Sequence, residues 1–376
     1  MRVLHLLHSL RRGGLERVVV SVANGLSRRG IGQGVCCLHE AGPLIDCLDD
    51  DVRTFVLNAR PNAAGLPLRL ARVYRAFRPN VIHTVDFCSW PDATLAAVTR
   101  PWVRRMHTFH GFLSRPPRRY RLMGRALAAL THGLHAVSEE LAATAANVYR
   151  LRPGRIAVLP NGVDVDFFDP ALAGDARQKL GIPQHRFVCV TVASLTPAKN
   201  PLLLVEAARR VGPGVHFVWV GDGPLRAVME EAVAGCDLDD VFTLAGRADD
   251  VRPWLAAADV FVLPSDAEAA PLCVLEAMAM QLPVVATRTG ALEAIVGASR
   301  AGLLAERDDA PALADAIERL RAAPGHRRLM GVRGRNTVVE RYGLDRMLDE
   351  YRRALERLCP RAAVPERVSP MPAGAG

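Results

Sequence analysis

Short apolar runs alternate along this chain with longer segments in which apolar residues recur every three or four positions. The runs include MRVLHLLHS (1–9), VIHTV (81–85), FVCVTVAS (187–194) and VFVLPS (260–265). Strands that are apolar throughout are typical of parallel sheets buried on both faces, and the segments between them have the period of covering helices. The pattern therefore predicts an α/β protein.

The alternation occurs in two series, which predicts two Rossmann-like domains. We place the first at 1–165 and the second at 166–341, because GVDVDFFDPALAGDARQKLG (162–181) interrupts the rhythm between them. A final helix is expected at 342–358, and it could return to pack on the first domain. The tail at 359–376 is rich in Pro, Ala and Gly, so we expect it to be disordered.

Charge is distributed unevenly between the two halves. Residues 1–160 contain 23 Arg and no Lys against 10 Asp and Glu, a net charge of +13, whereas the remainder has a net charge of −4. Arginines crowd residues 104–125 and recur every third residue at 69–78. Such a surface is either simply solvated or attracted to an anionic partner such as a membrane. The sequence has no nucleic-acid recognition motif, so we expect no nucleic-acid partner.

No apolar run reaches the ~18–20 residues of a membrane-spanning helix, and the first residues show no cleavage site of a signal peptide. The expected location is therefore the cytoplasm. Peripheral attachment of the basic half to the inner face of the membrane is the sharper hypothesis. The eight cysteines are scattered without the spacing of a metal site.

Two carboxylates flank the start of a predicted helix in EAAPLCVLEAM (268–278). Glu268 lies in the loop after an apolar strand, and Glu276 lies on the helix that begins near Pro271. The free N–H groups around Ala270–Cys273 would form an anion site, and both carboxylates could accept hydrogen bonds from hydroxyls of one elongated ligand. Equally, Glu268 could interact with the helix dipole, and Glu276 could bond a backbone amide or an arginine.

Lys199 lies at the end of the turn that follows the strand FVCVTVAS. The chain has only two lysines, Lys179 and Lys199, among 48 basic residues, which suggests a site that needs a compact ammonium. At the start of the next helix this ammonium could neutralise a diphosphate. An ordinary surface lysine is the alternative.

Seven short segments of the chain form an ordered set: GGLERVV (13–19), VIHTV (81–85), HGF (110–112), PNGVD (160–164), VASLTPAKN (192–200), VGDGP (220–224) and EAAPLCVLEAMAMQLPVVAT (268–287). The sequence resembles the retaining glycosyltransferases of the GT-B fold, of family-four type ("glycosyl transferases group one"), which include bacterial exopolysaccharide and lipid-linked sugar transferases. The resemblance covers most of the chain and implies two Rossmann-like domains that face each other across a cleft. The seven segments occur in the order that the family has, and the last of them is the most specific.

The resemblance implies catalytic roles for three residues. Glu268 would hold hydroxyls of the transferred sugar, His110 would approach that sugar near its reacting carbon, and Lys199 would stabilise the departing diphosphate. The family is thought to retain anomeric configuration by same-face attack, so a glycosidase-type pair of carboxylates is not required. Lys199 and helix N-termini would meet the developing charge, so we expect no metal.

The resemblance also implies a donor site that lies mainly on the second domain. Glu276 would hold the ribose hydroxyls, and the loop with Arg247 would cradle the base. Further predicted donor-binding residues are Gly13, Gly14, Ser194, Lys199, Ala270, Pro271, Leu272 and Cys273.

The chain differs from the family pattern at three positions. Ser194 stands where the family often has Arg, so either another arginine substitutes or the site is weaker. Ala269 follows Glu268 where the family often has Gly, which would cost energy if this residue needed φ > 0. Val85 stands where a second His is often found.

The implied activity is transfer of a hexose or N-acetylhexosamine from a nucleotide diphosphate sugar to a glycan or lipid-linked acceptor. A UDP-sugar is the preferred donor and a GDP-sugar the alternative, and no separate cofactor is expected. The alternatives are a non-catalytic sugar-nucleotide-binding paralogue and another GT-B-fold enzyme such as a sugar-nucleotide epimerase.

Two patterns imitate metal sites. Asp164-Val-Asp166 resembles the Asp-x-Asp of a different glycosyltransferase fold, but it adjoins the predicted linker. The histidines His5, His8, His107 and His110 have the spacing of no common metal site. We therefore predict no metal ligands.

Overall fold

The structure, a computed structural model, describes residues 1–60, 63, 65–98, 100–111, 116–172 and 174–360. Phe112 of the HGF segment and Arg115 of the arginine cluster lie outside the described residues. So does the predicted disordered tail from residue 361 onward.

The first half of the chain forms one parallel sheet. Its strands in the described ranges are β1 (Arg2–Ser9), β2 (Gly32–Glu40), β3 (Arg53–Val56), β4 (Val81–Thr84), β5 (Arg104–Phe109), β6 (Gly133–Ala136) and β7 (Ile156–Val158). They lie in the order β3-β2-β1-β4-β5-β6-β7, and every pairing is parallel. The connecting helices are α1 (Gly14–Arg28), α2 (Leu66–Phe77), α3 (Ser89–Ala96), α4 (Arg118–Leu130) and α5 (Glu139–Tyr149).

The second half forms a second parallel sheet. Its described strands are β8 (Phe187–Val192), β9 (Val215–Val220), β10 (Phe242–Gly246), β11 (Val260–Leu263), β12 (Val284–Thr287) and β13 (Gly302–Ala305), in the order β10-β9-β8-β11-β12-β13. The helices are α6 (Ala176–Lys179), α7 (Pro201–Ala208), α8 (Arg226–Ala234), α9 (Arg252–Ala257), α10 (Leu272–Ala279), α11 (Gly290–Leu292), α12 (Ala310–Ala322), α13 (Pro324–Arg341) and α14 (Leu344–Leu358). Two parallel α/β sheets confirm the predicted fold class.

Burial explains why the strands could be read from the sequence. All four residues of β4 and all four of β11 are buried, because helices cover both faces of each sheet. The helices instead bury one stripe: α1 buries Val18, Val22 and Leu26 at the helical spacing of four residues. The apolar runs in the sequence are therefore the strands, and the segments with an apolar stripe are the helices.

Some elements escaped the sequence prediction. β13 has four residues at a sheet edge, and only Ala305 among them is fully buried, so no long apolar run marks it. α13 is rich in Arg and Gly, and it buries only Met330, Gly331, Gly334 and Val338. Gly331 packs so closely on the turn after α10 that a Cβ there would overlap the carbonyl oxygen of Gln281. Close approach of glycine to backbone leaves no hydrophobic pattern to detect.

The chain crosses between the sheets twice. After β7 it passes to the second half, and an isolated bridge pairs Val163 with Gly343 where it returns. α13 packs on α10, whereas α14 packs on α1 of the first half through Met347, Leu348 and Leu355. The boundary at residues 165 and 166 stays a prediction. Within the described ranges, none of the helices combines the length and the apolar character that crossing a bilayer would require.

Candidate functional site

A cleft of about 350 Å³ lies between the two halves, at the carboxyl ends of their strands. The loops after β1 and β5 form one wall, and the loops after β8, β9, β10 and β11 form the other. Ligand sites of open parallel sheets lie at this edge. The cleft is lined by all the predicted catalytic and donor-binding residues: Gly13, Gly14, His110, Ser194, Lys199, Arg247, Glu268, Ala270, Pro271, Leu272, Cys273 and Glu276.

Lys199 and Glu268 form an ion pair in the wall of the cleft. Lys199 Nζ donates to Glu268 Oε1 at 2.6 Å, with the Glu268 side chain 6% exposed and the Lys199 side chain 24% exposed. Burial lowers the pKa of Lys199, but the negative charge of Glu268 and the hydrogen bond to it outweigh this effect, so the pKa of Lys199 is raised overall. The ammonium therefore keeps its charge at neutral pH. The pair fixes it beside the start of α10.

Glu276 lies one turn into α10 and is buried, with its side chain 7% exposed. Burial raises the pKa of Glu276, and the positive charge of Arg17 opposes this shift. Arg17 Nη1 on α1 lies 3.5 Å from Glu276 Oε1. Of the partners that the sequence left open for Glu276, the structure shows an arginine from the opposite wall.

Two helix N-termini meet across the cleft. α1 begins at Gly14 and α10 at Leu272, and a Cβ placed on Gly14 would lie 3.8 Å from Leu272 Cδ1. The first amides of a helix have no partner within the helix and carry partial positive charge. Asn161, after β7, holds this arrangement together, because its Nδ2 donates to Ala270 O at 3.0 Å. Anionic groups are therefore favoured between the two helix starts.

His110 follows β5 and faces the same cleft. Burial lowers its pKa to about 4, so the imidazole is neutral at physiological pH. Its Nε2 is buried and has no hydrogen-bond partner among the described residues. A buried polar atom of this kind is costly unless something binds it, which makes His110 available to a polar group in the cleft.

The loops after β8 and β9 support each other at the far end of the cleft. Gly221 has φ of 146°, and a Cβ there would overlap the carbonyl oxygen of Ala193, so only glycine fits. Arg247 is exposed at this end, after β10. Arg12 reaches across from the first half and forms an ion pair with Asp249 at the rim.

Several cleft residues were not predicted from the sequence. They include Arg12 and Arg17 near the start of α1, Asn161 after β7 and Asp222 after β9. Arg17 belongs to the GGLERVV segment and lies four residues after Gly13, one helical turn away on the same face. That spacing could have identified it.

The structure gives the two metal lookalikes other roles. Asp164 Oδ1 accepts the backbone N–H groups of Asp166 at 3.1 Å and Phe167 at 3.0 Å, which closes a turn. His5 Nδ1 lies 3.0 Å from His83 Nδ1 in the core of the first sheet, and its Nε2 lies 2.8 Å from Gln33 Oε1. The described residues contain no cluster of His, Cys, Asp or Glu that could hold a metal ion. Ala269, which follows Glu268 where the family often has Gly, does not have a positive φ, so this substitution causes no backbone strain.

A second hollow, of about 510 Å³, lies on the other side of the loop that carries Glu268. It is bounded by Glu140 and Thr144 of α5 and by Arg288 and Arg307 after β12 and β13. Glu268 therefore stands in the wall between two hollows.

Two family models match this chain and together cover most of it. The model described as glycosyltransferase family 4 matches residues 12–167, and the model described as glycosyl transferases group 1 matches residues 186–322. The chain belongs to the GT4-type glycosyltransferases. The family that the sequence resembles is thereby confirmed.

Relatives and solved structures agree with this assignment. The UDP-Gal:alpha-D-GlcNAc-diphosphoundecaprenol alpha-1,3-galactosyltransferase of Escherichia coli is 28% identical over 90% of this chain and 92% of its own length. A D-inositol 3-phosphate glycosyltransferase of Xylanimonas cellulosilytica is 29% identical over 92% of this chain and 93% of its own length.

The fold comparison extends over nearly the whole chain. A glycosyltransferase from Rickettsia africae superposes with a TM-score of 0.83 at 21% identity, covering 96% of this chain and 99% of that chain. HepE of Anabaena in complex with UDP-glucose superposes with a TM-score of 0.81 at 20% identity, covering 95% and 100%. The GT-B fold of this glycosyltransferase is thus confirmed.

Proposed function

We propose that this GT4-type enzyme is a retaining glycosyltransferase that moves a hexose or N-acetylhexosamine from a nucleotide diphosphate sugar to a glycan or lipid-linked acceptor. A UDP-sugar is the proposed donor, with a GDP-sugar as the alternative. One observation carries the proposal: Lys199, Glu268, Glu276 and the starts of two helices meet in a single cleft. The names of the Escherichia coli relative and of the Anabaena complex support a UDP-sugar donor, and the former also supports a lipid diphosphate acceptor.

The cleft matches the order of groups along a nucleotide diphosphate sugar. The start of α10 and Lys199 suit the diphosphate, because amide N–H groups and an ammonium converge there. Glu276 lies four residues after Leu272, about 6 Å along the helix axis, and its carboxylate suits the ribose hydroxyls. The loop with Arg247 then borders the base, and Glu268 and His110 border the transferred sugar.

The same residues account for the chemistry. As the bond from the anomeric carbon to the phosphate oxygen breaks, negative charge grows on the diphosphate, where Lys199 and the helix start stabilise it. The acceptor hydroxyl attacks from the same face, and its proton passes to the departing phosphate oxygen. Glu268 orients the sugar and holds Lys199 in place at 2.6 Å. With these groups supplying the positive charge, we propose that no metal is required.

A binding screen tests the proposal. We expect thermal-shift measurements with UDP-, GDP- and ADP-sugars to show stabilisation by one donor class, and Glu276→Ala to remove it. Product analysis by NMR should show the anomeric configuration of the donor, with turnover unchanged by EDTA. Binding of no donor in the panel would refute the proposal, and an inverted product would refute retention.

We propose that the first domain attaches peripherally to an anionic membrane. α2 packs on α3 and α3 packs on α4, and each exposes a large apolar side chain: Leu68 at 72%, Leu95 at 60% and Leu122 at 59%. Trp102, after α3, is 71% exposed. Exposed arginines lie on two of the same helices, on α2 (Arg69, Arg72, Arg75) and on α4 (Arg118, Arg119, Arg121, Arg125). Apolar side chains among basic ones suit the boundary between headgroups and acyl chains.

Vesicle co-sedimentation tests this surface. We expect binding to anionic vesicles, with little to neutral ones, and a substantial loss in Trp102→Ser. Leu329, on α13, provides a control, because it is 47% exposed and Leu329→Ser removes an exposed apolar side chain from the second domain. Equal recovery with anionic and neutral vesicles would contradict the membrane proposal without affecting the proposed reaction.

A non-catalytic sugar-nucleotide-binding paralogue is the second candidate, and the specific observation behind it is Ser194. The cleft would then bind a donor but lack one cation for the leaving group. Donor binding without transfer or donor hydrolysis, across the acceptors tested, would favour this candidate.

A further inference from the structure

Ser194 leaves the second domain one cation short at the place where the proposed diphosphate binds. In this family an arginine often occupies that position, and here the side chain is a short hydroxyl exposed to the cleft. A leaving diphosphate needs positive charge close by, so the deficit should be met from elsewhere in the cleft.

We propose that Arg17, on the first domain, supplies the missing cation by exchanging Glu276 for the donor diphosphate. When the ribose hydroxyls engage Glu276, the guanidinium of Arg17 turns to the diphosphate. This inference rests on the proposed function, because it names a further residue that contacts the donor of the same reaction.

The basic residues that line the cleft differ in what they already contact. Lys199 is bound to Glu268, and Arg12 is bound to Asp249 at the rim. Arg247 is exposed at the end where we place the base. Arg17 contacts the buried Glu276, next to the start of α10. Among the described residues of the cleft, Arg17 is therefore the arginine that reaches the deep part of the donor site.

The contact between Arg17 and Glu276 is suited to exchange. At 3.5 Å it is longer than the ~2.7–2.9 Å of a charge-assisted hydrogen bond, so the two groups are not locked together. The Arg17 side chain is 39% exposed, which leaves it room to turn, whereas Glu276 is fixed on α10 and 7% exposed. Ribose hydroxyls that donate to Glu276 would replace the stabilisation that Arg17 gives the buried carboxylate. Arg17 is then free to pair with a phosphate, for which its planar guanidinium is well matched.

The exchange also links the two domains. Arg17 belongs to α1 of the first domain, whereas Ser194, Lys199 and Glu276 belong to the second. A diphosphate held from both sides would draw the walls of the cleft together over the donor. An arginine at position 194 would provide the same charge without this link.

Arg17 could instead act only through Glu276, by keeping its carboxylate ionised. The two roles predict different losses. If Arg17 meets the diphosphate, its removal weakens UDP binding and leaves uridine binding unchanged. If it only orients or ionises Glu276, its removal weakens UDP and uridine equally, because both contain the ribose.

Isothermal titration of UDP and uridine onto four proteins separates these roles: wild type, Arg17→Gln, Ser194→Arg and the double variant Arg17→Gln/Ser194→Arg. We expect Arg17→Gln to bind UDP about 10- to 100-fold more weakly, the worth of one hydrogen bond between charged groups, and uridine within about twofold of wild type. The double variant should recover at least about tenfold in UDP affinity, because the charge returns from the second domain. Arg28→Gln is the matched control, because Arg28 lies at the other end of α1 and is not among the residues that line the cleft; it should change UDP affinity by less than about threefold.

Unchanged UDP affinity in Arg17→Gln, an equal loss for uridine, or the same loss in Arg28→Gln would each overturn the inference. Failure of the double variant Arg17→Gln/Ser194→Arg to recover UDP affinity would also overturn it. If wild type prefers GDP, then GDP and guanosine form the parallel pair. Absence of binding by any nucleoside diphosphate to wild type would instead refute the proposed function, so the two failures are distinguishable.

Discussion

Replacement of Lys199 by methionine should destabilise the second domain around the cleft. Met keeps most of the volume of the lysine stem but removes the ammonium that contacts Glu268 at 2.6 Å. The Glu268 side chain is only 6% exposed, so its carboxylate would remain buried without a cation. A buried charge that loses its partner is among the costliest changes that one substitution can cause.

The structure sets the size of the effect. Removing one partner of a buried ion pair costs about 3–5 kcal/mol, and we expect the lower end, about 3 kcal/mol, because Lys199 is 24% exposed and water can approach the site. In the double variant Lys199→Met/Glu268→Gln no charge remains to bury, so most of this loss should be recovered. Neither variant should transfer sugar, since both lack the proposed leaving-group cation.

Hydrogen exchange, read in peptides that contain β11 and α10, measures this local free energy. The pKa of Lys199 is raised, so the contribution of the pair is complete below the ordinary lysine pKa of about 10.4 and is lost only as pH rises through the higher folded value. The difference between variant and wild type should therefore be constant from about pH 7 to 9. Equal protection in Lys199→Met and wild type, or no recovery in the double variant, would refute the reasoning.

Three further predictions concern His110, Gly221 and Asp164. Burial lowers the pKa of His110 to about 4, so its neutral form prevails well below pH 7. The transfer rate of the wild type should therefore show no inflection near pH 6.5. An inflection there that is present in wild type and absent in His110→Asn would contradict this prediction. Gly221→Ala should lower the free energy of unfolding in urea titration by about 2 kcal/mol or more, because φ is 146° and a Cβ would overlap the carbonyl oxygen of Ala193. A variant as stable as wild type would contradict this prediction and show that the loop adapts. Asp164→Ala should lower the free energy of unfolding by about 1 kcal/mol, because the hydrogen bonds that close the turn are lost. The rate of sugar transfer should stay as in wild type with either Mn²⁺ or EDTA. A loss of activity that depends on Mn²⁺ would instead make Asp164 a metal ligand.

The fold was largely accessible from the sequence because its strands are short, apolar and buried on both faces. β4 and β11 left continuous apolar runs, and α1 left a clear stripe. β13 and α13 did not, because an edge strand is half-covered and because α13 packs through glycines that let backbones touch. Contacts that depend on the absence of a side chain at glycine leave no hydrophobic pattern in the sequence.

The site was accessible in part, for a different reason. Resemblance to the family pointed to Lys199, Glu268 and Glu276, since these lie in short segments that can be compared one at a time. The pairing of Arg17 with Glu276 could not be read in this way, because it joins residues from opposite walls of the cleft. Ser194 indicated from the sequence that a positive charge is missing from the donor site. Only the three-dimensional arrangement indicates which arginine could replace it.

The most direct test of the central claim is a crystal structure of this protein with UDP bound. We predict UDP in the cleft between the two sheets, with its ribose hydroxyls within hydrogen-bond distance of Glu276 and its diphosphate beside Lys199 and the start of α10. UDP bound elsewhere, or bound in the cleft with its ribose away from Glu276, would contradict the account.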